Sequence, residues 1–191
     1  MDVFEITGGK PLHGTVTPAG NKNAALPMIA AALLTDEPVV LHNVPNIGDV
    51  RAMLELASQA GVNCCWRSAS ALELQAGTVR DAELPRGLCS EIRAGVLLAA
   101  PLIFRTGRAV MPPPGGDVIG RRRLDAHFDG LRCLGVSIEL GDRFRFEAPR
   151  GFVGADLFLA EASVTATEHL LMAAAVAEGE TMIQNAACEP H

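Results

Sequence analysis

The chain has 191 residues, 49% of them hydrophobic, and a formal net charge of −6. It is long enough to bury a core and too apolar for disorder, and its acidic balance argues against a non-specific nucleic-acid binder. The opening MDVFEITGG lacks the regions of a signal peptide, and no apolar run nears the ~20 residues of a bilayer span, so a cytoplasmic protein without a membrane partner is expected.

GNKN, residues 20–23, precedes an alanine-rich helix, AALPMIAAALL. Asn23 is read as its N-cap, with Pro27 near the first turn, where a missing N–H costs least. EPVVLHNVP then reads as a strand. DVRAMLELASQAGV reads as an amphipathic helix with Val50, Met53, Leu54, Ala57 and Ala60 on one face. Gly61 stands where a C-terminal cap wants it, and VNCCWRS and ALELQAG give two short strands. The order then recurs. RAGVLLAAPLI, capped by Ser90 and with Arg93 near its start, gives a second alanine-rich helix, and GRAVMPPP a strand. RRLDAHFDGLRCLGV gives a helix with Leu124, Phe128, Leu131 and Leu134 on one face, closed by Gly135, and VSIELGD and RFRFEAP follow as strands. A third copy opens with Ser163 and a T-x-x-E capping box at Thr165 and Glu168, continues through EHLLMAAAVA and GETMIQNAA, and stops at CEPH.

Corresponding positions lie 74 residues apart from Gly61 to Gly135, 70 from Val40 to Val110, and 72 from Val110 to Met182. The unit is therefore roughly seventy residues, ordered helix, strand, helix, strand, strand, and present about two and a half times. Such mixing indicates α/β layers and not a solenoid. A third unit lacking one helix and two strands would expose apolar surface, which implies a longer protein or a layer supplied by another subunit.

Helix starts carry unpaired N–H groups and a positive dipole end that suit phosphate and carboxylate. Lys22, one of two lysines in the chain, stands at the first alanine-rich helix and Arg93 at the second. If the copies pack around a local pseudo-symmetry axis, these ends converge, and with one of Arg121 to Arg123 they form an anion pocket for phosphorylated ligands. Each feature also has a plainer reading. GNKN serves as a turn, Arg93 as a surface residue, Thr165 and Glu168 as simple capping, and PPPGGDVIGRRR as a turn before a solvated charge run. Lys10, His127 and Asp125 read as solvent-facing. The histidines and the five cysteines share no ligand-like spacing, and the thiols read as reduced. There is no P-loop, dinucleotide fingerprint, G-x-S-x-G or C-x-x-C, so no cofactor or metal is called for.

GNKNAALP, GGDVIGRRRLDAH, and SVTATE followed by NAACEP resemble the UDP-N-acetylglucosamine 1-carboxyvinyltransferase family of enolpyruvyl transferases, from about Phe4 to the last residue. The sister 3-phosphoshikimate family typically carries G-S-K-S-x-x-N-R at the first motif; here Asn23 replaces the second Ser and the N-R is absent, which favours the amino-sugar family. The resemblance implies two domains, each an inside-out α/β barrel of three such units, with the active site between them. Residues 1–20 would be N-terminal strands associated with the second domain, and 21–191 the first domain with its third repeat incomplete. The missing C-terminal domain is then the partner. The implied activity moves the enolpyruvyl group of phosphoenolpyruvate to the 3-hydroxyl of UDP-N-acetylglucosamine, releasing phosphate, in the cytoplasmic route to peptidoglycan.

By position, Lys22, Asn23 and Arg122 match the phosphoenolpyruvate-binding residues. Arg93, Arg122, Arg123, Leu124, Asp125 and Ala126 match the UDP-sugar contacts, and Glu161, Ala162, Ser163 and Val164 the segment contacting the diphosphate. Arg123 stands where proline is common and Glu161 where a basic residue is. PPPGGD would be a mobile lid with Asp117 at its tip, in the place of the proton donor, commonly Cys. Asp117 serves there when protonated. Two other readings stand beside this one: a non-catalytic module or regulatory fragment binding UDP-sugar or phosphate, and a 3-phosphoshikimate 1-carboxyvinyltransferase.

Overall fold

In the computed structural model, residues 3–80, 82–115 and 123–191 are described, and the fold begins in earnest at Asn21. Residues 3–20 form neither helix nor strand, and Val3, Phe4, Ile6, Leu12 and Val16 are 86–98% exposed. Helix α1 (Lys22–Ala31) is capped by Asn21 and not by Asn23: the Asn21 side chain accepts from the amides of Asn23 (2.7 Å) and Ala24 (3.2 Å). Asn23 thus lies inside the helix. Pro27 falls in the second turn, deeper than expected, and denies the Asn23 carbonyl its usual amide partner.

The first unit continues as β1 (Val39–Leu41), α2 (Gly48–Gln59), β2 (Asn63–Trp66) and β3 (Leu72–Gln75), and its antiparallel sheet has the order β1-β3-β2. The second unit holds α3 (Arg86–Glu91), a 3-10 turn (Arg93–Leu98), α4 (Ala99–Thr106), β4 (Arg108–Met111), α5 (Asp125–Cys133), β5 (Ser137–Glu139) and β6 (Phe144–Glu147). Its sheet repeats the pattern as β4-β6-β5. The third holds β7 (Asp156–Phe158), α6 (Val164–Ala175) and β8 (Met182–Gln184), with β7 and β8 parallel.

The seventy-odd-residue register survives in atomic detail. At the end of α2, Gly61 (φ 100°) donates to Ser58 and Val62 to Ala57, each carbonyl about one turn back. At the end of α5, Gly135 (φ 91°) donates to Arg132 and Val136 to Leu131. Both are left-handed caps that a side chain would strain.

Three expectations need correction. The second alanine-rich segment is not one helix from Arg93: Ile92 is extended, a 3-10 turn follows, and α-helix starts at Ala99. Ser90 is not its cap, since it lies in α3 with its hydroxyl donating to the Gly87 carbonyl at 2.6 Å. Thr165 does not cap α6; Ser163 does, accepting from the Ala166 amide at 3.3 Å. A further strand also precedes the alanine-rich helix: β7 in the third unit, and in the second a parallel bridge between Glu83 and Val110. Pieces this short, with charged residues in them, carry no legible alternation.

The alanine-rich helices lie innermost. Both α1 and α4 pack on α6, burying Ile29 and Ala30, Ala100 and Leu102, and Leu170 and Ala173 completely or nearly so. Small alanine side chains let the helix axes approach, while the sheets lie outside them. α5 also crosses α6 closely, where Gly130 meets Leu170. Among the described residues no helix is long and apolar enough to cross a membrane.

Candidate functional site

Three helical starts converge on one cavity of about 390 Å³. Lys22 and Asn23 come from the start of α1, Arg93 from the start of the 3-10 turn, and Val164 and Thr165 from the start of α6. The pseudo-symmetric packing of the units causes this, since each alanine-rich segment presents the same end inward. Lys22 Nζ pairs with Asp49 Oδ2 at 2.7 Å, both side chains 46% exposed, and Asp49 belongs to the first turn of α2. By the 74-residue offset, Asp49 corresponds to Arg123. Arg93 donates to the Arg123 carbonyl at 2.8 Å, and Arg123 Nε meets Asp125 Oδ2 at 2.5 Å.

The cavity is less purely cationic than expected, because Asp49, Glu91, Glu168 and Glu189 also line it. Burial first, and the neighbouring Glu189 carboxylate second, push the Glu168 carboxyl up to about 7. His191 Nε2 lies 3.9 Å from Glu168 Oε1. A carboxyl raised toward neutrality in such a cavity can hold or release a proton there.

At the start of α6 the amides of Val164 and Thr165 precede the first intrahelical bonds and find no protein acceptor among the described residues. Behind Thr165 sit two buried histidines, His127 of α5 and His169 of α6, which are 1% and 0% exposed. His127 Nδ1 and His169 Nδ1 are 3.1 Å apart, His127 Nε2 is 3.2 Å from Thr165 Oγ1, and the Ala100 amide donates to His169 Nε2 at 3.1 Å. This corrects the solvent-facing reading of His127. Burial, then the nearby Arg93 charge, lowers His127 to about 4, and burial with the His127 neighbour holds His169 well below 6.5. The two histidines are 42 residues apart in the chain, and no local pattern links them.

Of the residues matched to ligand contacts in the sequence, Lys22, Asn23, Arg93 and Val164 line the cavity. Arg123 stands at its edge, exposed and linked through its carbonyl to Arg93; Leu124 is half-buried and Asp125 exposed. Ala126 is buried and lines a separate small cavity with Gly130 and Leu157. Glu161 and Ala162 are exposed, and Ser163 is the cap of α6. Asp117, Arg121 and Arg122 lie outside the described residues. On either side of their segment, the Gly115 amide donates to the Cys89 carbonyl at 2.9 Å and Arg123 holds Arg93, so both flanks are fixed near the second helical start. Sequence reasoning missed Asp49, Glu189 and His191 as wall residues and read Thr165 and Glu168 as capping. The repeat offset could have found Asp49. Nothing local marks the others.

Comparison with known proteins agrees with this architecture. A family model described as EPSP synthase (3-phosphoshikimate 1-carboxyvinyltransferase) matches residues 6–191. A UDP-N-acetylglucosamine 1-carboxyvinyltransferase of Bradyrhizobium diazoefficiens is 51% identical over 188 residues, covering 98% of this chain and 43% of that protein. The enzyme of the same name from Treponema denticola is 51% identical over 191 residues, covering 100% of this chain and 45% of that one. Among solved structures, the enolpyruvyl transferase NikO of Streptomyces tendae superposes with a TM-score of 0.80 at 23% identity, over 96% of this chain and 43% of its own. EPSP synthase of Acinetobacter baumannii gives 0.74 at 20% identity, over 93% and 41%. These two share the fold. The chain spans a little under half the length of the curated relatives it matches. With the EPSP synthase model covering nearly its whole length, and 51% identity to two proteins named UDP-N-acetylglucosamine 1-carboxyvinyltransferase, this chain belongs to the enolpyruvyl transferase family that includes both enzymes.

Proposed function

We propose that this chain forms one wall of the active site of a UDP-N-acetylglucosamine 1-carboxyvinyltransferase, completed by a second domain. The observation carrying the proposal is the convergence of Lys22, Asn23, Arg93 and the α6 start on one cavity. Cations and helix-end amides gathered there suit phosphate, diphosphate and carboxylate oxygens. In the reaction the 3-hydroxyl of UDP-N-acetylglucosamine adds to C2 of phosphoenolpyruvate while C3 takes a proton, and loss of phosphate and a C3 proton then restores the double bond. Lys22, Asn23 and Arg122 hold phosphoenolpyruvate, Arg93 and the segments 122–126 and 161–164 hold the sugar nucleotide, and Asp117 delivers the proton to C3. The acid is needed because carbanion character at C3 is otherwise uncompensated. The exposed apolar side chains of residues 3–20 support the docking of this segment on the second domain.

The test follows release of inorganic phosphate from UDP-N-acetylglucosamine plus phosphoenolpyruvate. A full-length enzyme carrying this sequence releases it, the 191-residue chain alone does not, and Asp117→Asn in the full-length enzyme abolishes turnover while sugar-nucleotide binding persists. Release dependent on 3-phosphoshikimate instead would overturn the substrate, and steady release by the isolated chain would overturn the need for a second domain.

A further inference from the structure

We infer that Thr165 contacts the ligand, its hydroxyl hydrogen aimed at an anionic oxygen by two positioning residues, His127 and His169, buried behind the wall. The cavity's identity as a UDP-sugar site rests on the reading above; the direction of the hydroxyl does not. The direction follows from counting protons along one chain of hydrogen bonds. A backbone amide can donate and cannot accept, so His169 Nε2, 3.1 Å from the Ala100 amide, must offer its lone pair. The single proton of neutral His169 is then on Nδ1. The 3.1 Å contact between the two Nδ1 atoms therefore runs from His169 to His127, and the proton of neutral His127 is on Nε2. That proton goes to Thr165 Oγ1 at 3.2 Å, so the hydroxyl oxygen accepts and its hydrogen must be given elsewhere.

Inside a helix a threonine ordinarily gives that hydrogen to the carbonyl four residues back. Thr167 does so to Ser163 and Thr106 to Leu102, each at 2.8 Å. Thr165 makes no such bond, and its hydroxyl donates to none of the described residues. It lines the cavity instead, beside the amides of Val164 and Thr165, which have no acceptor among the described residues. Three donors side by side with no acceptor among them suit an oxyanion such as a diphosphate oxygen. The relay cannot reverse, because reversal would set an imidazole N–H against the Ala100 N–H. Nor can either ring gain a second proton without placing two N–H groups head to head, and burial holds both neutral.

Long-range ¹H–¹⁵N correlation spectra of the ¹⁵N-labelled 191-residue chain at pH 7 read the tautomers directly. His127 is expected as the Nε2–H form and His169 as the Nδ1–H form; the opposite forms, or a charged ring, overturn the relay. Titrations with UDP-N-acetylglucosamine and, separately, with inorganic pyrophosphate test the contact. Thr165→Val, of nearly the same size, is expected to weaken both by about tenfold or more, and Thr165→Ser to bind like the parent. Equal affinity in Thr165→Val, or a parent chain that binds neither probe, overturns the contact. Binding of pyrophosphate but not of the UDP-sugar supports the Thr165 contact and overturns the UDP-sugar reading. His127→Phe should weaken binding in the parent and add nothing to Thr165→Val. An equal loss in both backgrounds overturns positioning, and if His127→Phe does not fold, the tautomers and the Thr165 pair decide.

Discussion

Glu168 shows how a residue legible as one thing in a sequence becomes another in a fold. In S-V-T-A-T-E it completes a capping-box pattern, yet in the structure Ser163 caps α6 and Glu168 turns toward Glu189 in the cavity wall. Its carboxyl is raised from 4.5 to about 7, so the folded state binds the proton more tightly than the unfolded state. The stability this contributes is present below pH 4.5 and is lost as pH rises through about 7. Glu168→Gln is therefore expected to stabilise the chain at pH 8, by about 1–2 kcal/mol after allowing for partial solvation, and to change little at pH 4.5. Urea unfolding at both values checks this; equal effects at both would refute it. Lys22 was legible because it is one of two lysines in the chain, and Arg93 because the repeat places it at the corresponding start. The two histidines were not, because their partners come from other elements.

At the scale of elements, five helices were read in the right order, α3 (Arg86–Glu91) was not read, and the ends were read less well. G-N-K-N offers two asparagines with equal claims to cap α1, and backbone geometry chooses: Asn21 is extended, at φ −78° and ψ 124°, while Asn23 is already helical. Asn21→Ala should cost about 1 kcal/mol, Asn21→Ser should retain most of the stability, and Asn23→Ala should leave the cap intact. Thermal melts of the three variants distinguish the assignments, since the reading from sequence makes Asn23→Ala the damaging change. The crossing of α5 on α6 gives a second test. A methyl at Gly130 would overlap Leu170, so Gly130→Ala should destabilise by about 1–3 kcal/mol despite its better helix propensity. Gly130→Ala with Leu170→Ala should be destabilised by less than the sum of the two single changes, because truncating Leu170 removes the overlap while leaving its own cavity.

For the molecule as a whole, the displaced titrations of His127, His169 and Glu168 combine into one pH profile. His127, at about 4, and His169, lower than 6.5, are neutral in the fold, so the unfolded chain binds two more protons at pH 5.5. Their contribution is present above pH 6.5 and is lost as pH falls below it. Glu168 acts in the opposite sense over 4.5 to about 7, holding one proton that the unfolded chain releases. Two protons against one leave a net loss of stability on the acid side, about 1 kcal/mol per pH unit below pH 6, with a broad maximum near neutrality. Chemical denaturation from pH 4.5 to 8 measures the curve. A flat profile between 5 and 6.5 would mean that the histidines are not buried as a neutral pair, and in Glu168→Gln the acid-side slope should roughly double.

The sequence by itself determined the α/β class and the caps at Gly61 and Gly135, because hydrophobic periodicity and left-handed turns are local, and the repeat, because the same local patterns recur at offsets of 70 to 74 residues. It also marked Lys22 and Arg93 as helix-start cations. The tertiary structure alone decided that these starts meet in one cavity, that Asp49 pairs with Lys22, and that His127 turns inward to His169. The pairing of Asp49 with Lys22 depends on how α2 packs on α1, and the other two facts on how one unit is rotated against the next. The rotation is set by alanine faces packing in the interior, a sum over many weak contacts between distant residues that no short stretch of sequence contains.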